Sequence, residues 1–341
     1  MTGNNHFTFN DVGIVSLAAV DAPEVVTSAS IDERLAPFYS RNDAEPGLLE
    51  SLAGIRERRM WPEGVSFMAA AAKAGEKAII DSSIDRNRIG LMIDSSVCRA
   101  RLEPSSAVAV HDLLGLPSNC LNFDLSNACL GFLNGMHVAG TMLEAGQIDY
   151  ALIVDGEDVR QILDTTIERL NHPDAEIGDL FANFATLTLG GGSAAMVLGR
   201  HSENPGSHRF SGGFFRAATH YNHLCVGSLD GMNTDTRGLL EAGNETAKLA
   251  WDHAGEMKDD WYDMAHYVMH QVSEVHTQAI IDTIGIDSER VARSFINYGN
   301  VGPAAIPVTL NSIQPDLVSG DGIMLMGMGS GLNTAFFELQ W

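Results

Sequence analysis

The sequence predicts an α/β protein built from two similar halves, and three observations carry that expectation. Apolar runs of about five residues, the length of a strand buried on both faces, alternate with helix-length segments. The order of strands and turns in the first part of the chain returns in the second. A Gly/Pro/Ser-rich stretch, HSENPGSHRFSGG near residues 201–213, lies between the two series. The halves are therefore drawn as residues 1–205 and 206–341.

In the first half the helix pattern Ser66–Asp81 precedes a strand that ends in a polar turn, RIGLMIDSSVC. Next comes LNFDLSNACLGF, read as strand, turn and helix, then the strand YALIVDGE, then ATLTLGGGSAAMVLG, read as a glycine-broken hairpin. After the join, helix patterns cover Glu241–Ala254 and Glu274–Ile284. The strand AHYVMHQVS, the segment SFINYGNVGPAAIP and the strand DGIMLMGMGSG repeat the first-half order, and Leu332–Leu339 reads as a closing strand. That last strand argues against a dinucleotide site at GMGSG, which would need a helix directly after the glycines. The LGGGS run fails the same test, so both glycine runs are read as tight turns where backbone comes close to a neighbour.

Composition excludes several function classes. Of 341 residues 45% are hydrophobic and 19% charged, as in an ordinary globular protein. A formal net charge of −23, from 44 acidic and 21 basic residues, repels nucleic acid and anionic lipid. No apolar run approaches the roughly 20 residues of a membrane span. The cysteines Cys98, Cys120, Cys129 and Cys225 have no metal-finger or CxxC spacing, and no basic segment precedes the apolar run Val12–Val20. A reducing cytoplasm is the expected compartment.

Cys129 stands between a polar turn and a stretch with no formal charge before Glu144. A thiol at the N-terminus of a buried helix meets free N–H groups and the positive end of the macrodipole, which favour thiolate. His270 follows the strand Ala265–Met269, and Asn300 lies in the turn YGNVGP. Reactive groups gather beyond the carboxyl ends of strands in open α/β sheets, so the repeat would bring Cys129, His270 and Asn300 to one pocket. Each residue also has an ordinary role open to it. Cys129 can be a small buried hydrophobe, His270 a structural histidine rivalled by His266 and His276, and Asn300 a turn former. Arg56, Arg58, Arg59 and Trp61 in GIRERRMW form a cluster able to bind a polyphosphate such as coenzyme A, or equally a solvated surface. Glu103, in RLEPSS, can be a base, or can open a helix with Pro104 near its first position. Gly131 and Gly135 are expected to permit close packing of the helix after Cys129.

DLSNACLGF around Cys129, VMHQVSEVH around His270, NYGNVGPAAIPV around Asn300 and the closing GMGSGLN resemble the active-site segments of the thiolase superfamily, in the ketoacyl synthase III branch. RLEPSSAVAVHDLLG, FDLSNACLGFLNGM, IDYALIVDGE and AGIRERRMW further resemble the acyl-CoA condensing enzymes of bacterial long-chain olefin biosynthesis. The resemblance covers essentially the whole chain. It implies a five-layered αβαβα fold and a homodimer. It also implies a non-decarboxylative Claisen condensation of two long-chain acyl-CoA molecules to a 2-alkyl-3-oxo acid. Cys129 would be acylated, His270 and Asn300 would hold the second thioester carbonyl, and the backbone N–H groups of Cys129 and Ser330 would form the oxyanion hole. Glu103 would reach the partner subunit's site and remove an alpha proton, a step that malonyl-using synthases avoid by losing CO2.

Coenzyme A thioesters would be substrates, with no metal or redox cofactor, and enzymes forming an olefin or a lactone would act downstream. Initiating synthases carry a Trp and an Arg that grip adenine, and this chain has Leu48 and Leu52 there. Their coenzyme A contacts do not transfer. The remaining expectations are the Cys-bearing subunit of a β-lactone-forming heterodimer, a 3-oxoacyl synthase III using malonyl groups on acyl carrier protein, and a silent partner subunit.

Overall fold

The computed structural model describes residues 5–228, 231–254 and 260–341. The strands in chain order are β1 (His6–Thr8), β2 (Val12–Asp21), β3 (Glu24–Thr27), β4 (Glu57–Met60), β5 (Ile89–Asp94), β6 (Leu121–Asp124) and β7 (Tyr150–Glu157). They continue with β8 (Gly192–Arg200), β9 (His208–Ala217), β10 (Cys225–Ser228), β11 (Gly231–Thr234), β12 (His266–Met269), β13 (Gly322–Gly329) and β14 (Asn333–Gln340). The α-helices are α1 (Ser28–Arg34), α2 (Ala36–Asn42), α3 (Leu48–Ala53), α4 (Phe67–Ser82), α5 (Ser106–Leu113), α6 (Gly131–Glu144), α7 (Arg160–Asn171) and α8 (Ile177–Leu187). The later ones are α9 (Thr236–His253), α10 (Glu274–Ile284), α11 (Phe295–Tyr298) and α12 (Ala305–Ile313).

The repeat seen in sequence is a repeat of topology. In the first half β5 pairs parallel with β7, β7 antiparallel with β8, and β8 antiparallel with β2. In the second half β12 pairs parallel with β13, β13 antiparallel with β14, and β14 antiparallel with β9. A short β2–β9 contact, Gly13 with Arg209 and Ile14 with His208, joins both runs into one sheet. β6 lies at one outer edge of that sheet and β12 at the other.

Alternation along the strands sorts side chains into layers. Leu152 and Val154 of β7 face one way, with Met92, Ala195 and Val197, onto Ala71, Ala78 and Ile79 of α4 and Val110 of α5. Ile153 faces the other way, onto Leu133 and Met136 of α6, in a core that also takes Ile306 and Leu310 of α12 and Val268, Ile323, Leu325 and Phe337 of the second half. Tyr267, Met324, Met326 and Phe336 then meet Ala247 and Trp251 of α9 and Ile281 and Ile284 of α10. The order is thus helix, sheet, helix, sheet, helix. Close approach explains the glycines of α6: a Cβ on Gly131 would lie 2.7 Å from the Ser95 carbonyl oxygen, and one on Gly135 3.1 Å from Ile153.

Three elements differ from the expectation. Residues Ala185–Leu187 end helix α8 rather than form the first arm of a hairpin. A reciprocal capping box fixes that helix start, with the Glu176 side chain accepting from the backbone of Asp179 and the Asp179 side chain from that of Glu176. In the second half Phe295–Tyr298 is one short helical turn, not a strand matching β6. Helix α9 also begins five residues before Glu241, at Thr236, where Asp235 accepts from the Gly238 N–H.

Candidate active site

β6 ends at Asp124, and six residues carry the chain into α6, with Cys129 immediately before the cap residue Leu130. The turn is tied to β5 by Leu125 N–H donating to the Asp94 carbonyl at 2.9 Å, and closed by Leu130 N–H donating to the Asn127 carbonyl at 3.0 Å. Ala128 adopts a φ of +46°, a conformation that side chains other than glycine rarely take, and this turns the chain sharply at Cys129. The end of β13 closes over the same turn. A Cβ on Gly329 would stand 3.0 Å from the Asn127 carbonyl oxygen and 3.3 Å from the Leu130 nitrogen, so Ser330 directly follows a contact with the Cys129 turn.

His270 follows β12 and is pinned to β13 by its backbone N–H, which donates to the Met326 carbonyl at 2.8 Å. Burial lowers its pKa to about 4, with His276 adding to the effect, so the ring is neutral near pH 7. Asn300 is held on both sides. Its N–H donates to the Thr188 carbonyl and its carbonyl accepts from the Gly190 N–H, each at 2.9 Å. Its side-chain Oδ1 accepts from the Gly302 N–H at 3.0 Å, which leaves the Asn300 amide N–H groups to donate elsewhere. Gly190 allows this arrangement, because a Cβ there would lie 1.9 Å from the Tyr298 carbonyl oxygen.

Near Cys129 lie two carboxyl groups that sequence reasoning missed. Asp155 and Glu157 are two residues apart on β7, on the face that Ile153 turns to α6, and both are buried. Glu157 Oε1 accepts from the Val97 N–H at 2.6 Å and Oε2 from the Cys98 N–H at 3.3 Å. Burial pushes the Glu157 carboxyl up to about 7, and pushes Asp155 well above the usual carboxylate range. The available signal was a pair of carboxylates closing an otherwise apolar strand.

These groups correct the expectation of a preformed thiolate. Burial first, then the charges of Glu157, Cys225 and Asp155, push the Cys129 thiol up to about 12, against a lowering contribution from its own backbone N–H. The helix start favours the anion, but desolvation and two acidic neighbours outweigh it. Cys129 therefore rests as a thiol.

The four cysteines are free. His266 lies 3.7 Å from Asp321, which accounts for one of the rival histidines as a partner of a turn carboxylate. Glu103 is exposed on the loop between β5 and α5, next to Leu102, whose relative exposure is 101%. The helix starts at Ser106, with Ser105 as cap, so Glu103 and Pro104 precede it rather than open it.

Burial corrects half of the proposed coenzyme A cluster. Arg58 is closed to solvent and donates to the Leu187 carbonyl at 3.0 Å and to Ser28 Oγ at 3.3 Å. Trp61 is 2% exposed, with its indole N–H donating to the Glu157 carbonyl at 3.1 Å. Both are framework residues of β4 and its exit. Arg56 remains exposed and donates to Asn297 Oδ1 at 2.6 Å, and Arg59 pairs with Glu57 at 3.6 Å. Among the described residues no helix is long and apolar enough to cross a membrane.

A cysteine on a strained strand-to-helix turn, a neutral histidine at the end of β12 and an oriented asparagine after α11, in a duplicated five-layer fold, have the pattern of a thiolase-type condensing enzyme. Residues 123–212 match the 3-oxoacyl-(acyl carrier protein) synthase III family, and residues 258–341 match its C-terminal part. An acyl-CoA:acyl-CoA alkyltransferase of Xanthomonas campestris pv. campestris is 43% identical over 98% of this chain and 99% of its own length. The chain belongs to that alkyltransferase family. The crystal structure of a cysteine-to-serine variant of Xanthomonas campestris OleA, with bound lauric acid and lauroyl-CoA, superposes with a TM-score of 0.94 at 43% identity, covering 98% of this chain and 100% of that one. A Xanthomonas oryzae pv. oryzae structure described as 3-oxoacyl-(acyl carrier protein) synthase III is equally similar, at 43% identity and a TM-score of 0.95, covering 98% and 100%.

Proposed function

We propose that the chain condenses two long-chain acyl-CoA molecules without decarboxylation, through an acyl-Cys129 intermediate. The carrying observation is a thiol on the turn after β6, a neutral imidazole directly after β12 and, after the helical turn α11, an amide whose oxygen is already occupied.

In the first half-reaction Cys129 Sγ attacks the thioester carbonyl, and the N–H groups of Cys129 and Ser330 hold the oxyanion. The carbon–sulfur bond to coenzyme A breaks, and the leaving thiolate takes up the Cys129 proton. The second acyl-CoA then places its carbonyl between the N–H donors of His270 and Asn300, which lowers the energy of the enolate. Glu103 of the partner subunit removes the alpha proton. The enolate attacks the acyl-Cys129 carbonyl, a carbon–carbon bond forms, and Cys129 is released as thiolate and reprotonated. Hydrolysis of the resulting 2-alkyl-3-oxoacyl thioester yields the β-keto acid.

This assignment of Glu103 requires a homodimer, and the surface around Glu103 supports one. β6 leaves one strand edge unpaired, and Leu102, Val97, Leu113 and Leu121 expose apolar surface around that edge and the Glu103 loop. The same reading places the enzyme in the cytoplasm, ahead of enzymes that convert a β-keto acid to an olefin or a lactone. It leaves Arg56 and Arg59 as coenzyme A contacts.

Incubation of the purified chain alone with tetradecanoyl-CoA tests the reading. Thiol release together with a β-keto acid or its decarboxylated ketone is expected. Product formed only when malonyl-charged acyl carrier protein is added would replace it with the ketoacyl synthase III reaction. Activity only with a second, different subunit would replace it with the heterodimer.

A further inference from the structure

Two buried histidine nitrogens near the site have no partner among the described residues: His270 Nδ1 and His276 Nε2. His276 lies in the first turn of α10, six residues after His270, and Ser273 caps that helix. The Ser273 hydroxyl is 2.8 Å from His276 Nδ1 and also accepts the His276 backbone N–H at 3.3 Å. A serine hydroxyl has one proton and two lone pairs. With one lone pair taken by the backbone, the buried Ser273 hydroxyl is fully satisfied when its proton goes to His276 Nδ1. The opposite choice, a proton on His276 Nδ1, would leave the hydroxyl proton without an acceptor. Burial lowers His276 to about 4, as it does His270, so each ring carries one proton near pH 7. A neutral His276 whose Nδ1 accepts must hold its proton on Nε2.

We propose that Ser273 and His276 are positioning residues that set the tautomer of His270: His276 Nε2–H donates, through one bridging water, to His270 Nδ1. The two rings are near enough for His276 to act electrostatically on His270, and a water between them would satisfy both partnerless nitrogens. It also fixes the His270 proton on Nε2, where it is needed to hold the thioester carbonyl. The other tautomer would point a lone pair at the carbonyl oxygen and lose the enolate. The inference rests on the role of His270 proposed above and adds the device that prepares it.

The test combines a spectrum with kinetics in His276→Leu, which fills the space but cannot donate, and His276→Gln, which can. Nitrogen NMR of histidine-labelled protein, with His270 assigned by its loss in His270→Ala, reports the tautomer without turnover. The wild type is expected to show Nε2–H at His270, and His276→Leu to shift the proton toward Nδ1. Condensation should fall by about 10²–10⁴-fold in kcat in His276→Leu, the upper end being the loss known for a wrong-tautomer histidine, at unchanged KM and unchanged Cys129 acylation. His276→Gln should recover to within about threefold of wild type. Ser273→Ala, expected to give mixed tautomers, supplies the same reading if His276→Leu does not fold. An unshifted His270 tautomer in these variants overturns the relay. A shifted tautomer with undiminished condensation instead overturns the role of His270 at the carbonyl.

Discussion

Replacing Gly190 by alanine should separate the two half-reactions. A Cβ at this position would lie 1.9 Å from the Tyr298 carbonyl oxygen and 3.2 Å from Arg58 Cβ, whereas real Cβ contacts are essentially never under 3.0 Å. Both neighbours are anchored, so the segment from Tyr298 to Asn300 must retreat by roughly 1 Å, and the 2.9 Å bond from the Gly190 N–H to the Asn300 carbonyl stretches with it. A displacement of that size at a group holding the reacting carbonyl costs about 10²-fold, or about 2.7 kcal/mol of transition-state stabilisation. The forced repacking adds about 1–3 kcal/mol of instability, a fall in Tm of a few degrees for a chain of this size. Acylation of Cys129 uses the other oxyanion site and should stay within about twofold of wild type. Intact-protein mass spectrometry reads the acylation, and gas chromatography of the lipid product reads condensation. Lowered Tm with undiminished condensation would refute the role given to Asn300, and equal loss of both steps would refute the division between the two oxyanion sites.

Other outcomes follow from the same geometry. Glu103→Ala should acylate Cys129 normally yet lose condensation by about 10²–10⁴-fold, as expected for removal of a general base; an acylation defect like that of Cys129→Ala would contradict it. A thiol held near 12 ionises only slightly at neutral pH, so Cys129 alkylation by iodoacetamide should rise about tenfold per pH unit from 7 to 9. A plateau below pH 8 would reveal a preformed thiolate. Arg58→Ala should lower stability by about 3–5 kcal/mol, by emptying buried volume and stranding the Leu187 carbonyl, without raising the KM for acyl-CoA, while Arg56→Ala should raise that KM and leave Tm unchanged. The reverse pattern would return Arg58 to the coenzyme A site.

The turns that carry the candidate residues were legible in the sequence because each follows a short apolar run and is marked by glycine or a polar cluster. That pattern located Cys129, His270 and Asn300, and their order revealed the duplication. Elements governed by competing local signals were misread. The segment before LGGGS has strand-forming residues, but Glu176 and Asp179 nucleate a helix ahead of it, and the helix absorbs Ala185–Leu187. In GIRERRMW the charges suggested a surface, whereas the two-residue period of β4 turns Arg58 and Met60 inward and leaves Glu57 and Arg59 partly exposed. The ionisation of Cys129 was not legible at all. It depends first on burial and then on Glu157 and Asp155, more than 25 residues further along the chain, which only the layering of β7 under α6 brings to the thiol. The five-layer arrangement itself came from the family resemblance, since a pattern of strands and helices does not state which sheet faces pack together.

The most direct test of the central claim is subunit complementation. Cys129→Ala and Glu103→Ala proteins, each inactive alone, are exchanged into mixed dimers, and condensation of tetradecanoyl-CoA is measured. If Glu103 serves the partner subunit's Cys129, each mixed dimer holds one complete site, and an equimolar mixture should recover about one quarter of wild-type activity. No recovery, with subunit exchange verified, would place the base in the same chain as the nucleophile or remove Glu103 from the reaction.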